Sequence, residues 1–312
     1  MIISQTPLRM SILGGGTDLP EWCEKEFGHV VGSTIDKYIY VILTKRFDDK
    51  ICVGYSKQET VDSIDEIQHD LVRESAKIVG MKNGFEIKTM ADIPSGGSGL
   101  GSSSAILVGL LKIFHEYRNI SVTSKEIAEQ AFHIERDILK RPVGRQDHYF
   151  AALGGKNRFT FFDTDVFCEH VEIPSNNLYM FFTGITRKST PILENQISNI
   201  NKTTEIYYRN MANLAKSYVY SKNSLPGYIK TNWEYKKLLS KEIMNPEIEK
   251  MCKLADEGGA NSYKILGAGG GGFLLIYCEN EKLDSLRESL KNYRELPFKF
   301  TNYGTRVVFN NE

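Results

Sequence analysis

The segment Pro94-Ser95-Gly96-Gly97-Ser98-Gly99-Leu100-Gly101-Ser102-Ser103-Ser104-Ala105 decides how the rest of the chain is read. Its four glycines and five serines separate an alternating stretch, Phe85-Glu86-Ile87-Lys88-Thr89-Met90, from an apolar run, Ile106 to Phe114. The alternation predicts a strand and the apolar run a buried helix, so the loop opens into a helix N-terminus. Glycines let backbone N–H groups converge, and the first helical turn adds unpaired donors and a partial positive charge. That combination cradles phosphate. Serine hydroxyls at the helix start can cap those donors or bind a metal ion that accompanies phosphate groups.

The competing reading is a flexible Gly/Ser linker, but a linker does not ordinarily feed straight into so apolar a helix. The loop is not a Walker motif. Gly96 and Gly101 have the G-x4-G spacing, yet Ser102 stands where that motif needs lysine. Cations for a bound phosphate must therefore come from elsewhere in the chain.

Upstream, Ile2-Ile3 begins a strand that resumes past Pro7 as Leu8-Arg9-Met10-Ser11-Ile12-Leu13. Alternation puts Leu8, Met10 and Ile12 on one face and Arg9 on the other. Gly14-Gly15-Gly16-Thr17-Asp18 then turns tightly. Its glycines permit close approach of a ligand and Asp18 is a short acceptor, although a plain hairpin with Asp18 as its cap has the same sequence. Tyr38 to Leu43 reads as a further strand, residues 49–55 are expected to pair with it, and Ile64 to Val79 has helical spacing.

Downstream, Thr123-Ser124-Lys125-Glu126 has capping-box spacing and predicts a second helix that ends before Pro142. Its apolar face uses Ala128, Ala131, Ile134 and Ile138, and Glu135 lies on or beside that face. A carboxylate there needs a cation or several donors, which an ion pair with Arg136 or Lys140 at the surface would meet. In Val143-Gly144-Arg145-Gln146-Asp147-His148, the adjacent Asp147 and His148 suit acid–base chemistry, but such pairs are also common in loops. Residues 163–177 read as irregular and acidic, placing a domain boundary near 175. Leu178 to Phe182 reads as a strand, and residues 190–256 as helical with breaks at Pro226-Gly227 and Pro246. Gly267, Gly269 and Gly272 formally satisfy G-x-G-x-x-G, but a strand rather than a helix follows, which is wrong for a dinucleotide site. Glu281 to Tyr293 predicts an amphipathic helix and Thr305 to Phe309 a terminal strand.

The 312 residues suffice for a large core in one or two domains. With 39 basic and 39 acidic residues the net charge is zero, which argues against nucleic acid or a membrane as the main partner. Five widely spaced cysteines include no C-x-x-C pair and suggest neither a zinc site nor a disulfide framework. Met1 to Pro7 lack the features of a signal peptide, and no apolar run approaches the ~20 residues that span a bilayer. A soluble cytoplasmic protein is expected.

Three motifs carry a resemblance. Ile93-Pro94, Gly96, Gly99-Leu100-Gly101-Ser102-Ser103 and Ala105 resemble the P-x-x-x-G-L-G-S-S-A loop of the GHMP kinases. Pro7-x-Arg9 with Gly15-Gly16-Thr17-Asp18 is similar to that family's first motif, and residues 264–275 to its C-terminal glycine motif. The resemblance implies an α+β fold of two domains, residues 1–175 and 176–312, with the active site in the cleft between them. It implies transfer of the ATP γ-phosphate to a substrate hydroxyl, with Mg2+. Pro94, Gly96, Gly97, Ser98, Gly99, Leu100, Gly101, Ser102, Ser103 and Ser104 would hold the nucleotide phosphates, and Ser103 with Glu135 the metal. Gly144 and Asp147 match the G-x-x-D segment whose aspartate faces the substrate hydroxyl. Arg9 would sit beside Asp147 and stabilise the transferred charge. Gly15, Gly16, Thr17, Asp18, Arg145, Gly269 and Gly270 would border the substrate. Two positions depart from the family: Arg145 stands where a small residue is common, and His148 where Gln or Asn is.

Within the family, Thr6-Pro7-Leu8-Arg9 and Gly14-Gly15-Gly16-Thr17-Asp18-Leu19-Pro20 resemble the D-glycero-D-manno-heptose 7-phosphate kinases, which phosphorylate an anomeric hydroxyl. A kinase for an unphosphorylated sugar such as fucose or galactose, or a silent sugar and nucleotide sensor, remains an alternative. Arg145, Arg187 and Lys188 are the candidate readers of a distal substrate phosphate.

Overall fold

Residues 1–93, 96–201, 203–219 and 224–311 are described by the computed structural model of the chain. They form the strands β1 (Ile2–Leu13), β2 (Gly28–Lys45), β3 (Ile51–Gly54), β4 (Gln58–Val61), β5 (Phe85–Ala91), β6 (Lys156–Phe162), β7 (Asp165–His170), β8 (Leu178–Phe182), β9 (Ser262–Ile265), β10 (Phe273–Tyr277), β11 (Phe300–Thr301) and β12 (Arg306–Asn310). The helices are α1 (Pro20–Cys23), α2 (Asp70–Val79), α3 (Ser102–Tyr117), α4 (Ser124–His133), α5 (Gln146–Leu153), α6 (Ser189–Ser198), α7 (Glu205–Ser217), α8 (Leu225–Lys237), α9 (Pro246–Glu257) and α10 (Leu283–Ser289).

β1 runs through Pro7 without ending, but its register with β2 shifts between Pro7 and Leu8. Proline has no N–H to give the ladder, and a local irregularity accommodates that. β2 is far longer than Tyr38 to Leu43. Its 18 residues pair with β1 along one edge, and with β6, β11 and β5 in succession along the other. The large sheet runs β12-β1-β2-β5-β3-β4, with β7 bonded to β6. Residues 49–55 do not pair with β2: β3 lies between β5, to which it is parallel, and β4. The acidic stretch after residue 163 is not irregular throughout either. β7 forms a hairpin with β6 around Asp163, whose φ of 49° suits a tight turn.

β8, β10 and β9 make a second, antiparallel sheet. The chain then returns. β11 and β12, far along the sequence, pair with β2 and β1 of the first sheet. Pro226 and Pro246 stand in the first turns of α8 and α9, so each starts a helix rather than interrupting one.

α3 lies across β1 and β2, its face filled by Leu107, Val108, Leu110, Leu111 and Phe114. The capping box forms as expected, Thr123 and Glu126 exchanging bonds at the start of α4. Beyond His133 the helix widens into a π-type turn over Ile134–Ile138. A π-turn slips the 3.6-residue period. Ile138, expected on the apolar face, is therefore 41% exposed, while Glu135 is 2% exposed. That one local irregularity delivers a carboxylate to the interior.

Candidate active site

A cavity of about 270 Å³ lies where the C-terminal end of β1, the glycine loop before α3, the start of α5 and the C-terminal glycine loop meet. The period of two along β1 puts Arg9 and Ser11 on the face that lines it, while Leu8, Met10 and Ile12 fill the core. The loop reaches α3 through Gly101, whose φ of 76° is left-handed, and no side chain caps the helix. Its first N–H groups are thus left to a ligand. The loop also packs backbone against backbone on the C-terminal glycines: a Cβ on Gly99 would lie 2.5 Å from Leu266 O. Glycine at 99 and 267 is what lets the two loops touch.

Arg9 grips Asp147 with two charge-assisted bonds, Nε to Oδ1 and Nη2 to Oδ2, both 2.7 Å, and Nη1 donates to Gly99 O at 2.7 Å. The aspartate at the start of α5 is thereby held in one orientation against the phosphate loop. Its neighbour His148 lies about 100° further round the helix and bonds Glu135 rather than Asp147.

His148 instead meets Glu135, Nε2 to Oε2 at 2.8 Å. Ser103 and Ser104 donate to the two oxygens of Glu135 at 2.6 and 2.9 Å, and Arg141 Nη1 lies 3.2 Å from Oε1. The surface ion pair is not made: Arg136 pairs with Glu21. Burial pushes the Glu135 carboxyl up, but His148 and the two hydroxyls outweigh it and leave it lowered to about 2. Among the described residues no group of three or more His, Cys, Asp or Glu forms a metal cluster.

The opposite wall is built on Asp18. It accepts from Gly16 N (2.9 Å), Gln146 N (3.0 Å) and Gln146 Nε2 (2.7 Å), so it clamps the first glycine turn to the start of α5. A Cβ at Gly144 would meet its Oδ2 at 2.0 Å, which excludes any side chain there. Burial raises the Asp18 carboxyl. Beside it Ser11 Oγ and Gln146 Oε1 are buried without a protein partner, and Lys236 enters from α8.

Residues 67–155 match the GHMP kinases N terminal domain, and residues 231–295 match GHMP kinases C terminal. The chain is 32% identical to D-glycero-alpha-D-manno-heptose 7-phosphate kinase of Campylobacter jejuni subsp. jejuni serotype O:2, covering 98% of each. It belongs to the GHMP kinases. A galactokinase of Pyrococcus furiosus is 23% identical to this GHMP kinase, over 96% of the chain and 95% of the relative. The solved structure of a D-glycero-D-manno-heptose 1-phosphate kinase from Bacteriodes thetaiotaomicron matches over 100% of both chains, with a TM-score of 0.75 at 22% identity, and so shares the fold. A GHMP kinase is a phosphotransferase with a hydroxyl acceptor, and ATP is the family's donor. No described helix is long and apolar enough to cross a membrane.

In this GHMP kinase the cavity brings together Arg9, Gly15, Gly16, Asp18, Gly97, Ser98, Gly99, Gly101, Ser102, Ser103, Ser104, Glu135, Asp147 and Gly269. Gly96, Leu100, Thr17 and Gly270 do not line it. Gly96 is exposed, Leu100 is core, and Thr17 spends its hydroxyl on His29 O at 3.0 Å. Pro94 lies outside the described residues. Arg145 needs correcting as a substrate contact. It does not line the cavity: its guanidinium stacks on Phe132, 5.1 Å from the ring centroid, with Nε and Nη1 buried and without a protein partner. Arg187 and Lys188 do line the cavity. Ser11, Arg141, Gln146 and Lys236 line it too and were not anticipated. For Ser11 a signal existed, the two-residue spacing from Arg9; for Lys236 there was none.

Proposed function

We propose that this GHMP kinase is an ATP-dependent sugar-1-kinase that phosphorylates the anomeric hydroxyl of D-glycero-D-manno-heptose 7-phosphate, giving the 1,7-bisphosphate in the biosynthesis of nucleotide-activated heptose in the cytoplasm. The carrying observation is the bidentate Arg9–Asp147 pair at the mouth of an uncapped, glycine-entered helix. The whole-length likeness to a heptose 7-phosphate kinase supports the choice of acceptor. Residues 1–175 supply the phosphate loop and Asp147, and residues 176–312 the opposing glycine loop.

The reaction needs positioning and charge neutralisation more than covalent help. The glycine loop and the first N–H groups of α3 bind the nucleotide phosphates. Asp147 orients the acceptor hydroxyl and takes its proton, and Arg9, fixed by both Asp147 oxygens and Gly99 O, faces the charge that develops in transfer. Ser11 Oγ and the Gln146 carbonyl oxygen offer sugar hydroxyls the partners they lack within the protein.

Ser103 Oγ and Glu135 Oε1, hard oxygens 2.6 Å apart beside the phosphate loop, fit a Mg2+ site. The ion would supply Lewis-acid charge to the phosphates. Arg141, which bonds Asp70 at 2.7 Å as well as Glu135, keeps that partner when it yields Glu135.

ADP release over a panel of heptose 7-phosphate, heptose, fucose and galactose tests the proposal. Highest kcat/KM on heptose 7-phosphate is expected. A larger value on an unphosphorylated sugar would reassign the acceptor, and ATP binding without turnover on any sugar would make the chain a sensor.

A further inference from the structure

Lys236 stands in the last turn of α8, 4% exposed, yet it lines the cavity. Its Nζ donates to two neutral oxygens, Gly15 O and Gln196 Oε1, each at 3.0 Å. Gln196 is itself fully buried and is fixed by donating from Nε2 to Ala268 O at 2.9 Å. The ammonium is thus presented by a rigid frame drawn from α6, the first glycine turn and the C-terminal glycine loop. Among the described residues no carboxylate is hydrogen-bonded to it. Asp18 lies nearby, but its bonds go to Gly16 and Gln146.

Burying a charge against neutral acceptors is costly unless something of opposite sign arrives. The other cations around the cavity do not share that need. Arg9 is matched by Asp147, Arg141 by Asp70 and Glu135, and Arg187 and Lys188 are exposed to water. The space above the ammonium is also kept open, since a Cβ on Gly16 would come within 3.0 Å of Nζ.

We propose that Lys236 is a substrate-binding residue that reads the anionic group of the acceptor, a phosphate monoester carried by the sugar. This rests on the sugar-phosphate reading above and names the side chain that enforces it. Arg145 does not line the cavity, and the cation comes from a helix nearly a hundred residues later.

Titration provides a signature that needs no variant. Burial lowers the Lys236 ammonium to about 8, so it loses its proton as pH rises through that value. A sugar phosphate is already a dianion above about pH 6. KM for the phosphorylated sugar should therefore rise from pH 7 to 9 relative to KM for the same sugar without phosphate. The charged groups facing Lys236 are Asp18 from the turn after β1, Arg9 from β1 and Lys264 from β9. Arg9 is paired with Asp147 and acts on both sugars alike. Lys264, bonded to Ser11 O at 2.6 Å, is lowered well below its ordinary value by burial and acts on both sugars alike. Asp18 acts on both sugars and cancels in the ratio.

The decisive experiment measures kcat/KM of wild type and Lys236→Met, with ATP, on D-glycero-D-manno-heptose 7-phosphate and on the unphosphorylated heptose. On the phosphorylated sugar a fall of roughly 10–150-fold, carried by KM, is expected from losing one hydrogen bond to a charged group. On the neutral sugar the variant should lose clearly less, since only its bonds to Gly15 O and Gln196 Oε1 are removed; circular dichroism shows whether it is folded, and Lys236→Arg should recover part of the phosphate-specific loss. Equal losses on both sugars would overturn the inference and leave the kinase assignment standing. Should wild type itself show no preference for the phosphorylated sugar, the proposed acceptor falls and this inference with it. If Lys236→Met does not fold, the wild-type pH ratio decides, and a flat ratio overturns the proposal.

Discussion

Two carboxylates face each other across the cavity, Glu135 on the phosphate side and Asp18 on the acceptor side, each 2% exposed. They shift in opposite directions. Glu135 is lowered to about 2 because His148, Ser103 and Ser104 outweigh its burial. Asp18 is raised because its burial outweighs two backbone N–H bonds and is reinforced by the nearby Asp147 charge. Equal burial does not set equal charge; the partners decide. The wall at Glu135 thus presents an ionised carboxylate beside two serine hydroxyls. The wall at Asp18 presents amides, hydroxyls and one lysine.

The largest expected effect lies between the two walls. Asp147→Asn should lower kcat by ~10²–10⁴ with ATP affinity little changed, as for a lost general base. Near-normal turnover would remove Asp147 from the reaction and make the Arg9 pair purely structural. Next comes Glu135→Ala. It strands His148 and Arg141 around an empty site, and breaking a buried pair typically costs 3–5 kcal/mol. Denaturant unfolding should show that loss, and the Mg2+ titration of activity should shift in the same variant. An unaltered metal curve would confine Glu135 to the fold. Asp18→Asn, by contrast, should cost only about 1–3 kcal/mol, since neutral donors are left unpaired. A loss as large as that of Glu135→Ala would dissolve the contrast between the walls.

Acid unfolding sharpens it further. Glu135 has a folded pKa below its usual 4.5, so the stability it contributes is present above 4.5 and lost as pH falls toward 2. The displacement corresponds to ~3 kcal/mol at about 1.4 kcal/mol per pH unit. Asp18 has the reverse sign: raised in the fold, it favours the folded state at low pH and loses that contribution as pH rises. Glu135→Gln should therefore flatten the acid limb of stability against pH, and Asp18→Asn should steepen it. Parallel curves for the two variants would contradict the opposite shifts. The smallest expected effect is Gly96→Ala, where a Cβ meets nothing within 4 Å. Its stability should stay within about 0.5 kcal/mol of wild type. Gly99→Ala, at φ 74° and 2.5 Å from Leu266 O, should be clearly destabilised and bind ATP weakly.

The legible part of this protein was local. The phosphate loop, the β1 alternation that turns Arg9 toward a ligand, and the Thr123 capping box all follow from patterns within about a dozen residues. The site's charges were legible only by residue type. Asp147 and His148 looked like one acid–base pair, but a helix points neighbours apart, so one is held by Arg9 in the cavity and the other holds Glu135. The 3.6-residue period put Glu135 on or beside the apolar face and left a surface ion pair open, but its bonds to His148, Ser103 and Ser104, and the exposure of Ile138, follow a π-turn that no residue announces. Residues 49–55 read as the partner of β2, since pairing with the nearest strand is the default and the parallel insertion beside β5 is a long-range choice.

By itself, then, the sequence determined the glycine loop and the uncapped helix start that line the cavity, because glycine and helix-terminus chemistry act through the backbone over a few residues. Only the tertiary structure decided what surrounds it. β11 and β12 return to the first sheet, the loops at Gly99 and Gly267 press together, and Lys236 reaches Gly15 across 221 residues of sequence. The physical reason is that a buried charge is selected by the donors and acceptors that packing brings to it, and those arrive from elements whose own local patterns say nothing about the cavity they complete.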